Sequence, residues 1–287
     1  MNRLFCFGLG YSARTLVGHL RRPEWQVSGT IRSRELLSEI ADLGVDGHHF
    51  DGEMANPAAR DALSAATHIL VSVPPGPAGD PVLASQANEI ARAPDLRWIG
   101  YLSTVGVYGD WQGAWVDEDG PPRPISERSR RRLDAENAWS AFGASTGKRV
   151  TIFRLAGIYG PGRSPLDKVR AGTARRLIKP GQVFNRIHVD DISRALMASM
   201  SGAGRHTVYN VADDEPAPPQ DVVTFAAGLL GLPPPPEMPF DRAGLTSMAA
   251  SFYAENKRVR NRRIKDDLGV ALAFPTYREG LRNLLFR

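Results

Sequence analysis

Cysteine and long apolar runs are nearly absent from this sequence. Its 287 residues include one cysteine, Cys6, so the chain cannot form an internal disulfide bond. No apolar run approaches the roughly 20 residues that a membrane-spanning helix needs. The apolar stretch from Leu4 follows Met1, Asn2 and Arg3 directly, which is too short a leader for a signal peptide. We therefore expect a cytoplasmic protein without a membrane segment.

Metal-ligand spacing and nucleic-acid-binding motifs are also missing. The sequence has no zinc-ligand pattern, no aromatic RNA-binding strand and no helix-turn-helix pattern. The net charge of +5 would suit either nucleic acid or a ligand with several phosphates. Most of the basic residues fall in segments 128–132 and 257–265, which we interpret as solvated helix faces. Nucleic acid is therefore the weakest hypothesis for a partner, and we expect no metal site.

Short apolar runs alternate with helical patterns along most of the chain. This alternation predicts right-handed crossovers and a parallel sheet with helices on both faces. The predicted strands are 4–7, 25–31, 47–51, 67–73, 97–103, 150–155 and 208–211. The fold class that follows is α/β, a Rossmann-type doubly wound parallel sheet of about seven strands.

The last third of the chain has a different composition. Prolines cluster at 216–219 and 233–236, and a helix is predicted from about 256 to 268. Ligands of doubly wound folds bind beyond the carboxyl ends of the strands. A smaller, mostly helical C-terminal cap at that edge would close over a substrate.

These patterns give an expected domain organisation. We predict a ligand-binding Rossmann domain over 1–156, which the strand near 205–212 also joins. The substrate-binding cap is predicted over 157–204 and 213–287. Both domains are large enough to bury a core of their own.

A glycine-rich turn follows the first predicted strand. Gly8, Gly10 and Ala13 form a dinucleotide-binding fingerprint, with a strand before it and a helix after it. Gly8 permits the tight turn, Gly10 lets the backbone approach a pyrophosphate, and Ala13 allows close helix packing. The first amides of the helix, at Tyr11 and Ser12, would then face the anion. The sequence therefore predicts dinucleotide binding at this turn.

The second strand lacks the acidic residue that would hold the ribose 2′-hydroxyl of NAD. The sequence there contains Thr30, Arg32 and Ser33 instead. Hydroxyls and a guanidinium group can hold a 2′-phosphate, which a carboxylate would repel. We therefore predict that NADP, as NADPH, is favoured over NAD. Further residues predicted to bind the coenzyme are Asp51, at the adenine amino group, and Ser72, Val73 and Pro74.

Four motifs occur in the order found in the short-chain dehydrogenase/reductase superfamily. They span residues 8–13, 102–109, 153–162 and 187–191. The sequence resembles the extended or atypical members of that superfamily, which are similar to NAD-dependent epimerases and dehydratases. The resemblance implies an NAD(P)-dependent oxidoreductase or an epimerase/dehydratase-like protein that acts on a small-molecule substrate.

The resemblance also assigns catalytic positions. The chemistry of the superfamily uses a serine or threonine, a tyrosine and a lysine. The tyrosine exchanges a proton with the substrate oxygen during hydride transfer, and the lysine lowers the tyrosine pKa. By resemblance, Thr104 occupies the hydroxyl position, with Ser103 beside it. Arg128 occupies the tyrosine position and Arg132 the lysine position. The usual Tyr-x-x-x-Lys pair is therefore replaced by two arginines.

Arginine keeps its proton in proteins, so Arg128 cannot replace the tyrosine as an acid. Arg132 could supply positive charge near the nicotinamide ribose, and Arg128 could hold an anionic substrate group. If the reaction needs a side-chain acid, the alternatives are Tyr108, Tyr159 and Asp80.

Two substrate residues and several open questions complete the expectations. Arg163 and Arg186 lie in segments that border the substrate pocket of extended relatives, where arginines contact phosphate. The alternative to an enzyme is a non-catalytic NADP-binding redox sensor, in which 128–132 contacts a partner. Extended relatives dimerise through the helix that carries this segment, but its arginines would place like charges together, so monomer and homodimer both stay open.

Overall fold

The apolar run at the start of the chain forms part of a central strand. This strand spans Asn2–Phe7, and its last four side chains are buried, as expected for a strand covered on both faces. Cys6 lies among them and is fully buried, which raises the pKa of its thiol to about 12. A buried thiol of this kind acts as a small apolar side chain.

The structure, a computed structural model, describes residues 1–20, 23–54 and 56–286. The chain divides into two compact units. The first unit comprises residues 1–104, 130–154 and 195–209. The second unit comprises residues 105–129, 155–194 and 210–287.

Strands and helices alternate through most of the described residues. The strands are β1 (Asn2–Phe7), β2 (Trp25–Ile31), β3 (Asp46–His49), β4 (His68–Val71), β5 (Trp98–Thr104), β6 (Trp115–Val116), β7 (Val150–Leu155), β8 (Gly157–Tyr159), β9 (Arg176–Ile178), β10 (Arg186–His188), β11 (Val208–Val211), β12 (Glu237–Pro239) and β13 (Arg258–Val259). The α-helices are α1 (Tyr11–His19), α2 (Leu37–Asp42), α3 (Pro57–Ser64), α4 (Pro81–Arg92), α5 (Glu127–Thr146), α6 (Pro165–Arg170), α7 (Val189–Met200), α8 (Pro219–Leu229), α9 (Ser247–Tyr253), α10 (Arg262–Asp266) and α11 (Tyr277–Leu285).

Seven of these strands form the central sheet, in the order β11-β7-β5-β4-β1-β2-β3. The pairs of β1 with β2 and β4, of β2 with β3 and of β4 with β5 are parallel. Phe7 lies opposite Val71, and Val71 lies opposite Tyr101, so these strands end at a common edge. The predicted α/β fold with a central sheet of about seven strands is confirmed.

An apolar core covers the sheet within the first unit. Phe5, Ile69 and Ile99 project from the strands, and Trp139 of α5 packs in the same cluster. Burial of aromatic and branched side chains of this size stabilises such a core by about 1.5–3 kcal/mol for each side chain. The core therefore holds the carboxyl ends of the strands at fixed positions.

The second unit contains short parallel strand pairs as well as helices. These pairs are β6 with β13, β8 with β10, and β9 with β12. Its larger core includes Leu166 of α6, Val222 of α8 and Leu281 of α11. At the start of α11, Thr276 and Glu279 form a capping box. The short strand pairs were not predicted.

The prediction of a helix from about 256 to 268 is wrong at its start, because the first residues of this segment are extended. Residues Arg258–Val259 form β13, and α10 begins only at Arg262. The Val259 N–H donates to the Asn185 side chain over 2.8 Å, which fixes the backbone in an extended form. Tertiary hydrogen bonds therefore override the helical pattern of this charged segment.

The compact units differ from the predicted domains in two long stretches and at the short segments 155–156 and 210–212. Residues 105–129 belong to the second unit, and 195–204 belong to the first. The assignment of a coenzyme domain and a substrate cap stays a prediction. Within the described residues, no helix combines the length and apolar character that a membrane crossing requires.

Candidate functional site

Two hydroxyl groups hold the turn between β1 and α1. The Gly8 N–H donates to the Thr30 hydroxyl over 3.0 Å, and the Ser72 hydroxyl donates to the Gly8 carbonyl over 2.6 Å. Gly8 has a φ of +89°, and a Cβ at this position would lie 2.8 Å from the Ser72 hydroxyl oxygen. Thr30 is almost completely buried, so its hydroxyl shapes the turn. The turn therefore requires glycine at this first position for reasons internal to the protein.

Gly10 lies at the start of α1, where the protein itself leaves space beside the backbone. It is the N-cap of α1, and no side chain caps this helix end. A Cβ built on Gly10 would have no protein atom within 4 Å. The first amides of a helix have no partners within the helix, and the N-terminal end is positive, so this end can bind a phosphate. The predicted ligands Tyr11, Ser12 and Ala13 form the first turn of α1.

The residues after β2 and β3 lie at the same edge of the sheet, because Ile31 pairs with His49. Arg32 is exposed, and among the described residues no carboxylate pairs with its guanidinium group. Ser33, next to it, is half-buried. Asp51 is exposed, and its carboxylate accepts the Glu53 N–H at 3.5 Å. An unpaired guanidinium group at this edge can accept a phosphate.

The residues that follow β4 complete the set predicted to bind the coenzyme. Ser72 and Val73 are half-buried, and Pro74 is exposed. They follow Val71, which lies beside Phe7 at the end of β1. The carboxyl edge of the sheet in the first unit thus carries the glycine turn and the segments after β2, β3 and β4.

A buried charged network lies beside the end of β5. The Ser103 hydroxyl donates to the carboxylate of Glu136, which is 2% exposed. Arg154 of β7 donates to the same carboxylate from Nη2 at 2.7 Å and from Nε at 3.1 Å. A buried ion pair needs such additional hydrogen bonds to offset its desolvation. The predicted hydroxyl at Ser103 is therefore committed to Glu136, while Thr104 is the last residue of β5 and is half-buried.

Arg132 is fixed by two acceptors on β5. Its Nη1 donates to the Tyr101 hydroxyl at 3.0 Å and to the Leu102 carbonyl at 2.8 Å. Burial raises the pKa of Tyr101, although the charge and the hydrogen bond of Arg132 lower it. Tyr101 is also fully buried. This phenol therefore does not replace the missing tyrosine as an acid that reaches a substrate.

Asp80 has a structural position in the first unit. Its Oδ1 accepts the N–H groups of Val82 and Leu83, both at 3.0 Å, and so caps the start of α4. Burial raises the pKa of Asp80, and these two amides, the Trp139 side chain and Arg132 oppose the shift. The helix cap accounts for an aspartate here without a catalytic role.

Tyr108 and Arg128 belong to the second unit. Tyr108 is fully buried, and its hydroxyl donates to the Asn210 side-chain oxygen at 2.8 Å. A tyrosine in this position does not fit the role of a proton donor. Arg128 is exposed, and its guanidinium carbon lies 5.9 Å from the ring centre of Phe252.

The two predicted substrate arginines differ in their surroundings. Arg163 is exposed. Arg186 donates from Nη1 to the carbonyls of Phe184 and Ala217 at 3.0 and 3.1 Å. Burial lowers the pKa of Arg186, and Asp213 opposes this shift. Arg186 therefore supports backbone loops of the second unit and carries its charge in a mostly buried position.

Sequence reasoning missed two residues of the candidate site: Tyr101, which accepts a hydrogen bond from Arg132, and Arg154, which pairs with Glu136. A signal for the buried network was present, because Glu136 follows Arg132 by one helical turn and so occupies the same helix face. The pairing of Glu136 with Arg154 needed the sheet order, which the sequence does not state. Within the described ranges, no group of three or more His, Cys, Asp and Glu side chains could hold a metal ion.

Comparison with known proteins identifies the group to which this geometry belongs. The profile of the NAD dependent epimerase/dehydratase family matches residues 86–212. Protein YeeZ of Escherichia coli K12 is 30% identical over 246 residues, covering 82% of this chain and 86% of that protein. The 3-diazoavenalumate denitrifying reductase of a Streptomyces species is 26% identical over 260 residues, covering 86% of this chain and 72% of that protein.

A solved structure is similar to this chain over its whole length. A functionally unknown conserved protein from Silicibacter pomeroyi is 49% identical, with a TM-score of 0.90 over 100% of this chain and 99% of that chain. Solved epimerases and dehydratases of the same fold contain NAD. The resemblance inferred from the motifs is thus confirmed, and the chain belongs to the NAD-dependent epimerase/dehydratase family of the short-chain dehydrogenase/reductase superfamily.

Proposed function

We propose that this protein is an NADPH-dependent reductase of a small electrophilic substrate. The observation that carries this proposal is the carboxyl edge of the first unit, where the glycine turn and Arg32 lie together. The turn offers helix amides to a pyrophosphate, and the unpaired guanidinium group suits a 2′-phosphate. Gly8, Gly10, Tyr11, Ser12 and Ala13 would hold the pyrophosphate side of the coenzyme.

The arginines of α5 favour reduction over epimerisation. An epimerase of a hydroxyl-bearing carbon must first remove the hydroxyl proton and later return it, which requires a group that titrates. Arginine is not a proton donor or acceptor of this kind, and Tyr101 and Tyr108 are buried. A reductase can instead transfer hydride to an already electron-poor carbon and take the balancing proton from water. The relative named as a reductase agrees with this class of reaction.

The bound coenzyme would supply the hydride, and the chain's own residues would bind and orient the reactants. Thr104, at the end of β5, would donate a hydrogen bond to the substrate. Arg132 would hold a fixed positive charge near the nicotinamide ribose, because Tyr101 and Leu102 anchor its guanidinium group.

One experiment tests this proposal directly. NADPH that carries deuterium at the reactive nicotinamide carbon is mixed with the purified protein and a panel of aldehydes, enones, imines and nucleotide sugars. The expected result is loss of NADPH absorbance with deuterium in one product, found by mass spectrometry. Binding of both nicotinamide coenzymes is followed in parallel by quenching of tryptophan fluorescence. Absence of binding contradicts the proposal, and tight binding without turnover across the panel favours the non-catalytic sensor.

A further inference from the structure

The exposed face of α9 contains a cation beside two apolar side chains. The guanidinium carbon of Arg128 lies 5.9 Å from the centre of the Phe252 ring, within the range of a cation–π contact. Met248 lies one helical turn before Phe252, on the same face of α9. Phe252 is 53% exposed and Met248 is 66% exposed. Large apolar side chains so exposed at one place indicate a binding surface.

Helix α9 is fixed to the second unit from its other side. Tyr253 is buried, and the centre of its ring lies 5.1 Å from that of Phe184 and 4.8 Å from that of Phe240. The Thr246 hydroxyl accepts the Ala249 N–H and caps the helix start. The exposed position of Phe252 and Met248 therefore follows from how the helix is anchored.

The charge of Arg128 is not neutralised by the protein. Among the residues that the structure describes, Arg128 forms no ion pair and donates no hydrogen bond. The contact with the Phe252 ring uses none of the N–H groups of the guanidinium group as donors to an acceptor among the described residues, so they stay available to a ligand. A carboxylate is the anion that matches two such donors in one plane.

We propose that Arg128, Phe252 and Met248 bind a small aromatic carboxylate, with the carboxylate on Arg128 and the aromatic ring against the two apolar side chains. All three residues belong to the second unit, so this inference goes beyond the proposed function and does not depend on the coenzyme site of the first unit. A ligand with a carboxylate but no apolar group would leave Phe252 and Met248 in contact with water. An apolar ligand without an anionic group would leave the Arg128 guanidinium group without a counter-charge.

The test uses cinnamate and cinnamamide, which share a ring and differ in charge, and acetate, which has no ring. Their affinities are measured by calorimetry for the full-length protein, with and without NADP⁺. We expect cinnamate to bind at least about tenfold more tightly than cinnamamide, since a hydrogen bond to a charged group contributes about 1.5–3 kcal/mol. Acetate is expected to bind more weakly than cinnamate.

Two variants and a matched control locate the site. Arg128→Gln should remove the preference for cinnamate over cinnamamide, whereas Arg130→Gln, an equal loss of charge on the same helix, should keep it. Phe252→Ala should weaken cinnamate and cinnamamide alike, by about three- to tenfold. Both side chains are exposed, and circular dichroism checks that each variant is folded. Equal affinities of the two probes for the unmodified protein, or a preference that survives Arg128→Gln, would overturn the inference.

A second copy of the chain is the competing occupant of this face. Sedimentation velocity of the protein and of Phe252→Ala distinguishes the two. A dimer that Phe252→Ala dissociates, without any preference for cinnamate, contradicts the ligand site. Failure of the proposed function is recognised separately: a protein that prefers cinnamate through Arg128 but binds neither nicotinamide coenzyme loses the reductase assignment and keeps the carboxylate site.

Discussion

Arg132 donates to the Tyr101 hydroxyl over 3.0 Å, which fixes a permanent cation beside the strand that ends at Thr104. A lysine at this position could lose its proton when buried, but a guanidinium group keeps its charge. We therefore attribute no pH dependence of catalysis to Arg132. The pH profile of any turnover should instead reflect the substrate or groups elsewhere.

Alanine substitutions at the two glycines of the turn should have different effects: one should mainly lower stability and the other should mainly weaken coenzyme binding. Gly8→Ala is expected to lower the free energy of unfolding by about 1–3 kcal/mol, because Gly8 has a positive φ and lies against Ser72. Gly10→Ala should cost less than about 1 kcal/mol, because its Cβ meets no protein atom. It should nevertheless weaken coenzyme binding. Urea unfolding and fluorescence titration measure the two effects, and equal binding by Gly10→Ala would contradict the phosphate site.

Arg32→Glu should discriminate between the two coenzymes. The carboxylate would repel a 2′-phosphate, so NADPH affinity should fall at least about tenfold while NADH affinity changes little. Arg34→Glu, two residues further along the chain and also exposed, makes the same charge change as a control. Titration with both coenzymes measures the result, and equal losses for NADPH and NADH would remove the preference for NADP.

Thr104→Ala should separate chemistry from coenzyme binding. If Thr104 orients the substrate, turnover is expected to fall at least about a hundredfold with NADPH affinity nearly unchanged. Ser103→Ala is a useful comparison, because it removes the donor to Glu136 and should mainly lower stability. Steady-state kinetics and thermal unfolding distinguish the two variants. Full activity in Thr104→Ala would show that the active site is misplaced.

Glu136→Gln should destabilise the first unit strongly. The amide would leave the buried Arg154 guanidinium group without a counter-charge, at a cost of about 3–5 kcal/mol. Removal of one exposed partner from the surface pair of Arg262 with Asp266, by Arg262→Gln, should cost less than about 1 kcal/mol. Chemical denaturation compares the two. Similar small losses for both would contradict the importance of the buried pair.

Asp213→Asn should change how stability depends on pH. Burial raises the pKa of Asp213 well above its usual value, although Arg186 opposes the shift. Between the usual aspartate pKa and this raised value, the folded chain binds more protons than the unfolded chain, so ionisation of Asp213 lowers stability as pH rises. The asparagine variant should therefore melt at a higher temperature than the unmodified protein at pH 8, with a gain that shrinks toward pH 4. A gain that is constant over pH would contradict this assignment.

The pattern of apolar residues along the chain was sufficient to predict the strands of the central sheet. The bounds of β2, β7 and β11 agree with the predicted strands, because buried parallel strands appear as short apolar runs that end at turns. The glycine turn was predictable for a similar reason, since its residues are adjacent in the chain. In the second unit, strands of two or three residues such as β6 and β13 have no periodicity that a sequence pattern could reveal.

Side-chain partners from distant parts of the chain were not predictable. Arg132 was expected near the nicotinamide ribose, but nothing in the sequence indicated that Tyr101 would hold it. Asp80 was considered as an acid, although its place before Pro81 at the start of a helix already indicated a cap. Tyr108 was considered likewise, and only the tertiary structure places its hydroxyl on Asn210.

The burial of Cys6 in β1 makes the chain a convenient host for site-directed labelling. A thiol sealed in the sheet, with its pKa raised to about 12, will not react with maleimide dyes while the protein is folded. Any cysteine added at the surface therefore becomes the single labelled position without removal of the native residue. A dye attached through Ala254→Cys, at the exposed C-terminal end of α9, would report on occupancy of the α9 face without replacing a residue of the proposed site.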